Sequence, residues 1–188
     1  MYLTMLPLIA GGIANMIFAK TKAYNKYRFP IDCYKNAWDK KRIFGDNKTW
    51  IGFFSMIFFC TLFQLIHGIL CNWLNINQYN DLYKINENTL LLNVIFGFLI
   101  GMAYMLCELP NSFIKRRIGI SSGKTDKGIK GVTFFIVDQI DSLIGVMFVL
   151  YLFSNFTMWK YIGYVALGAI THIAINLTLY FAKVRKNV

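Results

Sequence analysis

Charge is scarce in this 188-residue chain: Asp, Glu, Lys and Arg make up 15% of it, against about a quarter in soluble domains. Acidic residues are scarcer still, nine against twenty Lys and Arg, while 56% of the residues are hydrophobic. That composition excludes a water-soluble globule. The four cysteines, Cys33, Cys60, Cys71 and Cys107, show no CxxC or zinc spacing, so neither a thiolate metal site nor a disulfide is expected. No cleavable leader is expected: the cations Lys20, Lys22, Lys26 and Arg28 follow the first apolar run instead of preceding it, and no small-residue cleavage site appears. Nor is there a phosphate loop of the Walker type. Gly119-Ile120-Ser121-Ser122-Gly123-Lys124-Thr125 has one residue too few between its glycines and no strand before it.

The apolar residues are collected into five blocks, at residues 2–18, 50–72, 89–107, 132–153 and 158–182. Each is about long enough to cross a hydrocarbon core of roughly 30 Å as a helix. Backbone groups in lipid must be paired within a helix or a closed barrel, and the short alternating segments of a barrel do not occur here. The expectation is an all-α integral membrane protein, a single domain of about five transmembrane helices, with loops at 19–49 and 108–131.

Orientation follows from the cations. Nine Lys and Arg lie between residues 19 and 49, one between 73 and 88, six between 108 and 131, one between 154 and 160, and three after 182. The positive-inside rule therefore places the N-terminus outside, the C-terminus inside and both basic loops in the cytoplasm. The net charge of +11 belongs to topology and to anionic lipid, and no nucleic-acid partner is expected. The segment at 73–88 reads as a polar connector. The first basic loop mixes Tyr34, Trp38, Ile43 and Phe44 with its charges, which suggests folded structure on the membrane surface.

Asp138 and Asp141 stand at i and i+3 near the start of the fourth block, on one helix face, where two carboxylates can share a divalent cation. Carboxylates in a membrane are costly and usually functional, although pairing with a neighbouring Lys or Arg is the plainer reading. Before the second block, Asp46 or Asn47 reads as a helix cap, while Lys48, Thr49 and the free amides behind them would suit phosphate oxygens. At the end of the third block Pro110 ends or kinks a helix, Glu108 stands at the boundary as a partner for cations or a metal, and Lys115, Arg116 and Arg117 offer phosphate contacts. Asn15 falls in the same leaflet. His67 and His172 read as interhelical contacts far from the carboxylates, and Gly11, Gly12, Gly97 and Gly101 as close-packing positions.

Together these stretches resemble the CDP-archaeol synthase family, membrane CTP transferases related to the CDP-diacylglycerol synthases. The resemblance is carried by Pro30-Ile31-Asp32, by Arg42 through Trp50 with Gly52, by Glu108 through Arg117, and by Asp138-Gln139-Ile140-Asp141-Ser142 with Gly145. It implies a five-helix enzyme of the cell membrane that binds CTP with Mg²⁺ at the cytosolic face and releases pyrophosphate while making a CDP-lipid in phospholipid biosynthesis. Asp138 and Asp141, with Glu108, would hold the metal, and Lys48 would join the two aspartates as a catalytic group. Asn15, Asp32, Arg42, Asp46, Asn47, Thr49, Asn111, Ser112, Lys115, Arg116, Arg117 and Lys124 would meet the substrates, CTP and a lipid phosphate of the archaetidic or phosphatidic type. Cys33, Ile51 and Ser122 stand where the family pattern has glycine, arginine and proline, so Lys40, Lys41 and Arg42 would have to stand in for the lost arginine or activity would change. A homodimer is compatible with this pattern. The rival reading is a small transporter or channel for a phosphorylated solute, which would need polar residues continuing to an outer half that reads as mostly apolar.

Overall fold

Apolar runs with threonine at their borders dictate where the helices begin. The computed structural model describes residues 1–124 and 128–181. Its helices are α1 (Tyr2–Phe18), α2 (Lys22–Lys26), α3 (Trp50–Trp73), α4 (Leu90–Arg117), α5 (Gly128–Ser154) and α6 (Met158–Phe181). The Thr21, Thr49 and Thr89 hydroxyls cap α2, α3 and α4 by accepting from the backbone N–H three residues on, each at 3.2 Å. The cap of α3 is therefore Thr49, not Asp46 or Asn47. Helices α3, α4, α5 and the Met158–Thr178 part of α6 are long and apolar enough to cross a membrane, and α1 is a shorter apolar helix of 17 residues.

The largest departure from the sequence expectation is in α4. Pro110 neither ends the helix nor opens a loop at 108; α4 continues through it to Arg117. Proline removes one N–H but fixes φ at a helical value, and side chains beyond it are tied to the neighbouring helix: Asn111 and Lys115 both bond to Asp138 on α5. The basic run thus sits on a rigid element.

Close packing brings the helices together where side chains vanish. A Cβ on Gly97 would lie 2.6 Å from Thr61 Cα, and one on Gly101 2.7 Å from Ile57 Cα, so the pair seats α4 directly against α3. Gly11 meets Cys60 in the same way, whereas Gly12 has open space before it, contrary to its expected packing role. Gly145 brings α5 against Cys107 of α4.

The segment at 73–88 is more than a connector. Asp81 is 3% exposed and accepts from Lys84 at 2.7 Å and from the Tyr164 hydroxyl at 2.5 Å, with Lys160 paired to it at 2.7 Å. Its own N–H donates to Thr4 Oγ1 at 3.0 Å, so one loop residue joins α1 to α6. Burial opposes ionisation of Asp81, but Lys160, Lys84 and Tyr164 outweigh it and hold the carboxyl well below its usual range. Nearby, Gln64, Tyr83 and Asn93 bond to one another, and Asn80 meets the His67 ring at 3.0 Å. The half of the bundle beside this segment, read from the sequence as mostly apolar, is therefore not simply so, and its polar groups largely satisfy each other. Phe96, Ile100, Val146, Met147 and Leu150, all buried, lie on α4 and α5 between these residues and the inner carboxylates.

Candidate functional site

At the opposite end of the bundle from Asp81 the helices enclose a cavity of 720 Å³. Its position follows from the periodicity of α4: Glu108, Asn111, Ser112 and Lys115 recur every three or four residues on one helix face and all line it, with Asp138 and Asp141 opposite on α5.

Asn111 stitches the two aspartates together, its Nδ2 donating to Asp138 Oδ1 at 2.6 Å and to Asp141 Oδ2 at 2.7 Å. Lys115 Nζ reaches both oxygens of Asp138 at 2.5 Å. Lys48 pairs with Glu108. Burial works against the Lys48 ammonium, yet Glu108, with Asp141 and Asp138 behind it, more than offsets this and raises it above the ordinary lysine value. It is cationic at neutral pH.

Arg116 and Lys124 line the cavity as well, as does Lys20, which sequence reasoning passed over. Arg116 Nη1 is buried without a hydrogen-bond partner among the described residues, so this guanidinium keeps donor capacity for an anion. Five cations and three carboxylates therefore share one chamber, a composition that suits a metal-bound polyphosphate.

Of the other expected site residues, Asn15, Asn47 and Thr49 line the cavity. Asn15 Oδ1 accepts from Ser55 Oγ at 2.6 Å. Thr49 Oγ1 is already engaged as the α3 cap and by the Tyr24 hydroxyl at 2.7 Å, so it is not open to phosphate. Asp32, Arg42, Asp46 and Arg117 do not line the cavity. Asp32, 5% exposed, accepts from Arg42 Nη2 at 2.6 Å and Nε at 3.2 Å and from the N–H groups of Tyr34, Phe44 and Gly45. It organises the first loop and has no lone pair to spare for substrate. Arg42 is spent on Asp32 and Asp46. Arg117 pairs with Asp39, donates to the carbonyls of Lys41 and Arg42, and lies over Phe113, pinning that loop to α4. Neither Lys40 nor Lys41 lines the cavity, so neither replaces an arginine at position 51 there; Lys41 instead bonds to the Arg117 carbonyl at 2.7 Å.

The loop after α4 closes one side. Gly45 (φ +93°) approaches Ser122 so closely that a Cβ would fall 2.0 Å from its hydroxyl, and Ser122, Gly123 and Lys124 all line the cavity. Thr125, the last residue of the glycine-serine stretch, lies outside the described residues.

His172 requires a correction. It lines the same cavity as the aspartates, because α5 and α6 are antiparallel: Asp141 stands 13 residues before the end of α5 and His172 14 residues after the start of α6. Counting rise from the shared outer turn would have found it. Tyr104, Gln139 and Asn176 also line the cavity and were not expected there.

The donor set fits a hard divalent cation. Asp138 and Asp141 supply carboxylate oxygens on one face, and Asn111 Oδ1 is a buried amide oxygen with no hydrogen-bond partner among the described residues. Glu108 is held by Lys48 and Asp138 by Lys115, whose ammonium a bound cation would displace, and no group of three His, Cys, Asp or Glu placed to hold a metal occurs among the described residues. Of the expected acids, Asp138 and Asp141 with the Asn111 amide oxygen are the set that one cation could share.

Comparison with known proteins gives the same direction. Residues 3–188 match a family model described as CarS-like, CDP-archaeol synthase. A CDP-archaeol synthase of Methanocella arvoryzae is 31% identical over 189 residues, covering 92% of this chain and 95% of the relative. One from Methanosarcina acetivorans is 29% identical, covering 84% and 88%. A solved structure described as an intramembrane enzyme for archaeal membrane lipids biosynthesis superposes with a TM-score of 0.66 at 20% identity, covering 93% of this chain and 91% of that one.

Proposed function

This chain belongs to the CDP-archaeol synthase family, and on that premise we propose that its inner cavity transfers a cytidylyl group from CTP to a lipid phosphate, releasing pyrophosphate. It is a multi-pass membrane cytidylyltransferase of lipid biosynthesis. The observation that carries the assignment of the site is the aspartate pair bridged by Asn111 inside a chamber ringed by Lys48, Lys115, Arg116 and Lys124.

In the proposed reaction an oxygen of the lipid phosphate bonds to the α-phosphorus of CTP while the bond from that phosphorus to the bridging oxygen of pyrophosphate breaks. Such transfers are helped by positioning and by neutralising charge. Mg²⁺, held by Asp138 and Asp141 with the Asn111 oxygen, would supply Lewis-acid neutralisation of the triphosphate. Arg116, with its open donor, and Lys124 at the mouth receive the charge that moves onto the leaving pyrophosphate. Lys48 and Lys115 hold Glu108 and Asp138 in place and keep positive potential beside the reacting phosphates.

The lipid route proposed lies between α1 and α6. Their outer ends are joined through Thr4, Asp81 and Tyr164, and Gly168 meets Met5. Further in, Gly12 and Ile13 on one helix and Thr171 and Ile175 on the other line the cavity. Apolar chains would lie against Ile9, Ile13 and Ile175 with the phosphate reaching the carboxylates. α1, about 25 Å long at helical rise, would serve as the fifth span, with the N-terminus outside and the cavity open to the cytoplasm, a reading that the cation distribution supports.

The test is turnover. Purified protein with labelled CTP, Mg²⁺ and a panel of dialkyl and diacyl glycerol phosphates should yield pyrophosphate and a labelled CDP-lipid in equal amounts, and CTP hydrolysis without a lipid product would refute the transfer.

A further inference from the structure

The wall between α5 and α6 carries a buried relay that the transfer chemistry does not use. Gln139 and Asn176 are 5% and 3% exposed, and both line the cavity that holds the two aspartates. Gln139 Nε2 donates to the Phe135 carbonyl at 3.1 Å. Asn176 Nδ2 donates to Gln139 Oε1 at 3.1 Å. The Phe135 carbonyl can only accept, so it fixes which end of the Gln139 amide is which, and Gln139 in turn fixes Asn176. The relay ends on Asn176 Oδ1, an acceptor buried without a hydrogen-bond partner among the described residues.

Native proteins keep few buried acceptors unpaired, and one on a ligand cavity is completed by a donor from the ligand. The two substrates differ sharply in this respect. An ionised lipid phosphate offers acceptor oxygens, and its glycerol hydroxyls are consumed by the chains. The nucleotide is the substrate with donors, its ribose hydroxyls and the amino group at C4 of cytosine. Phe134 and Phe135 line the same cavity beside the relay and offer flat apolar faces of the kind on which bases stack.

We propose that Asn176 Oδ1 accepts a hydrogen bond from the exocyclic amine of cytosine and so selects CTP over UTP, with Gln139 as the positioning residue that sets its orientation. Uracil would present its O4 to the same oxygen, acceptor against acceptor, and a site built around a hydrogen bond rejects the ligand that cannot make it. The proposal rests on the CTP reading of the cavity and adds to it the residue that reads the base.

The experiment measures dissociation constants of CTP, UTP and dCTP by displacement of labelled CTP from the purified protein with Mg²⁺, for wild type, Asn176→Ala and Gln139→Leu. Asn176→Ala should weaken CTP by about ten- to a hundredfold, the scale of one lost buried hydrogen bond. UTP should bind no more weakly than to wild type, relieved of the opposed acceptor, and the CTP to dCTP ratio should be preserved; Gln139→Leu should lower the CTP to UTP ratio in the same direction. A ratio that stays at the wild-type value in a folded variant overturns the proposal. A change confined to the CTP to dCTP ratio assigns the oxygen to the ribose and overturns it too. Failure of the wild-type protein to bind any cytidine nucleotide would instead overturn the CTP reading beneath it.

Discussion

Asp32 shows what a single buried carboxylate does when it is not part of the chemistry. Burial disfavours its charge, but the Arg42 fork and the N–H groups of Gly45 and Phe44 outweigh that and lower its pKa below the ordinary 3.8. Because the folded value is the lower one, the stability it contributes is present above the unfolded value and is lost as pH falls through the folded one. Thermal unfolding of wild type should therefore lose stability below about pH 4, and Asp32→Ala should be less stable at neutral pH by about 3–5 kcal/mol, as for a broken buried pair, with a flatter acid limb. An unchanged acid limb would show that Asp32 does not organise the loop. At this scale the sequence disclosed which residues carry unusual charge better than what that charge is paired with. Asp138, Asp141, Lys48 and Lys115 were legible as intramembrane or boundary charges, and they converge. Asp32 and Arg117 look identical to ligand-binding groups in a linear chain, because nothing local says that a carboxylate 13 residues from Gly45 will be filled by its N–H.

Helices were legible from their apolar runs, and so were most of their ends; the end of α4 and the start of α5 were not. Proline at 110 reads as a boundary, yet α4 runs on for seven residues, because contacts of Asn111 and Lys115 with α5 override a local preference. That error hid the geometry of the site, in which Glu108, Asn111, Ser112 and Lys115 share a face. His172 was misplaced for a related reason: depth along an antiparallel pair is counted from the shared turn. At the end of the bundle away from the cavity, Asp81 ties α6 to α1 through Tyr164 and Thr4, in a segment that the sequence reads as a polar connector. Asp81→Asn removes the charge that Lys84 and Lys160 face. It should lower the thermal midpoint and expose α6 to protease faster than α3, whereas equal cleavage rates for the two helices would contradict a tether.

For the whole molecule, the distribution of cations carries the topology. Eighteen of twenty Lys and Arg fall in segments that five spans would place on one side, and the first two of those segments give the cavity Lys20, Lys48, Lys115, Arg116 and Lys124. Cys33 is a natural reporter: it is a free, exposed thiol in the first basic loop, while Cys60 and Cys71 are buried. A membrane-impermeant maleimide should label it in inside-out vesicles and leave it unlabelled in intact cells. Labelling from outside would invert the topology. The chemical class of the protein was readable because its charges, unlike its apolar surface, can be placed in only a few ways in a bilayer. What no single segment revealed is the chamber itself, which needs α1, α4, α5 and α6 together.

The aspartate pair is the centre of this account, and the most direct test is binding of CTP to purified protein with and without Mg²⁺, in wild type, Asp138→Asn and Asp141→Asn. Wild type should bind CTP more tightly when Mg²⁺ is present, and each isosteric variant should lose that dependence while keeping its thermal midpoint within a few degrees. CTP affinity that responds to Mg²⁺ equally in all three proteins would contradict it.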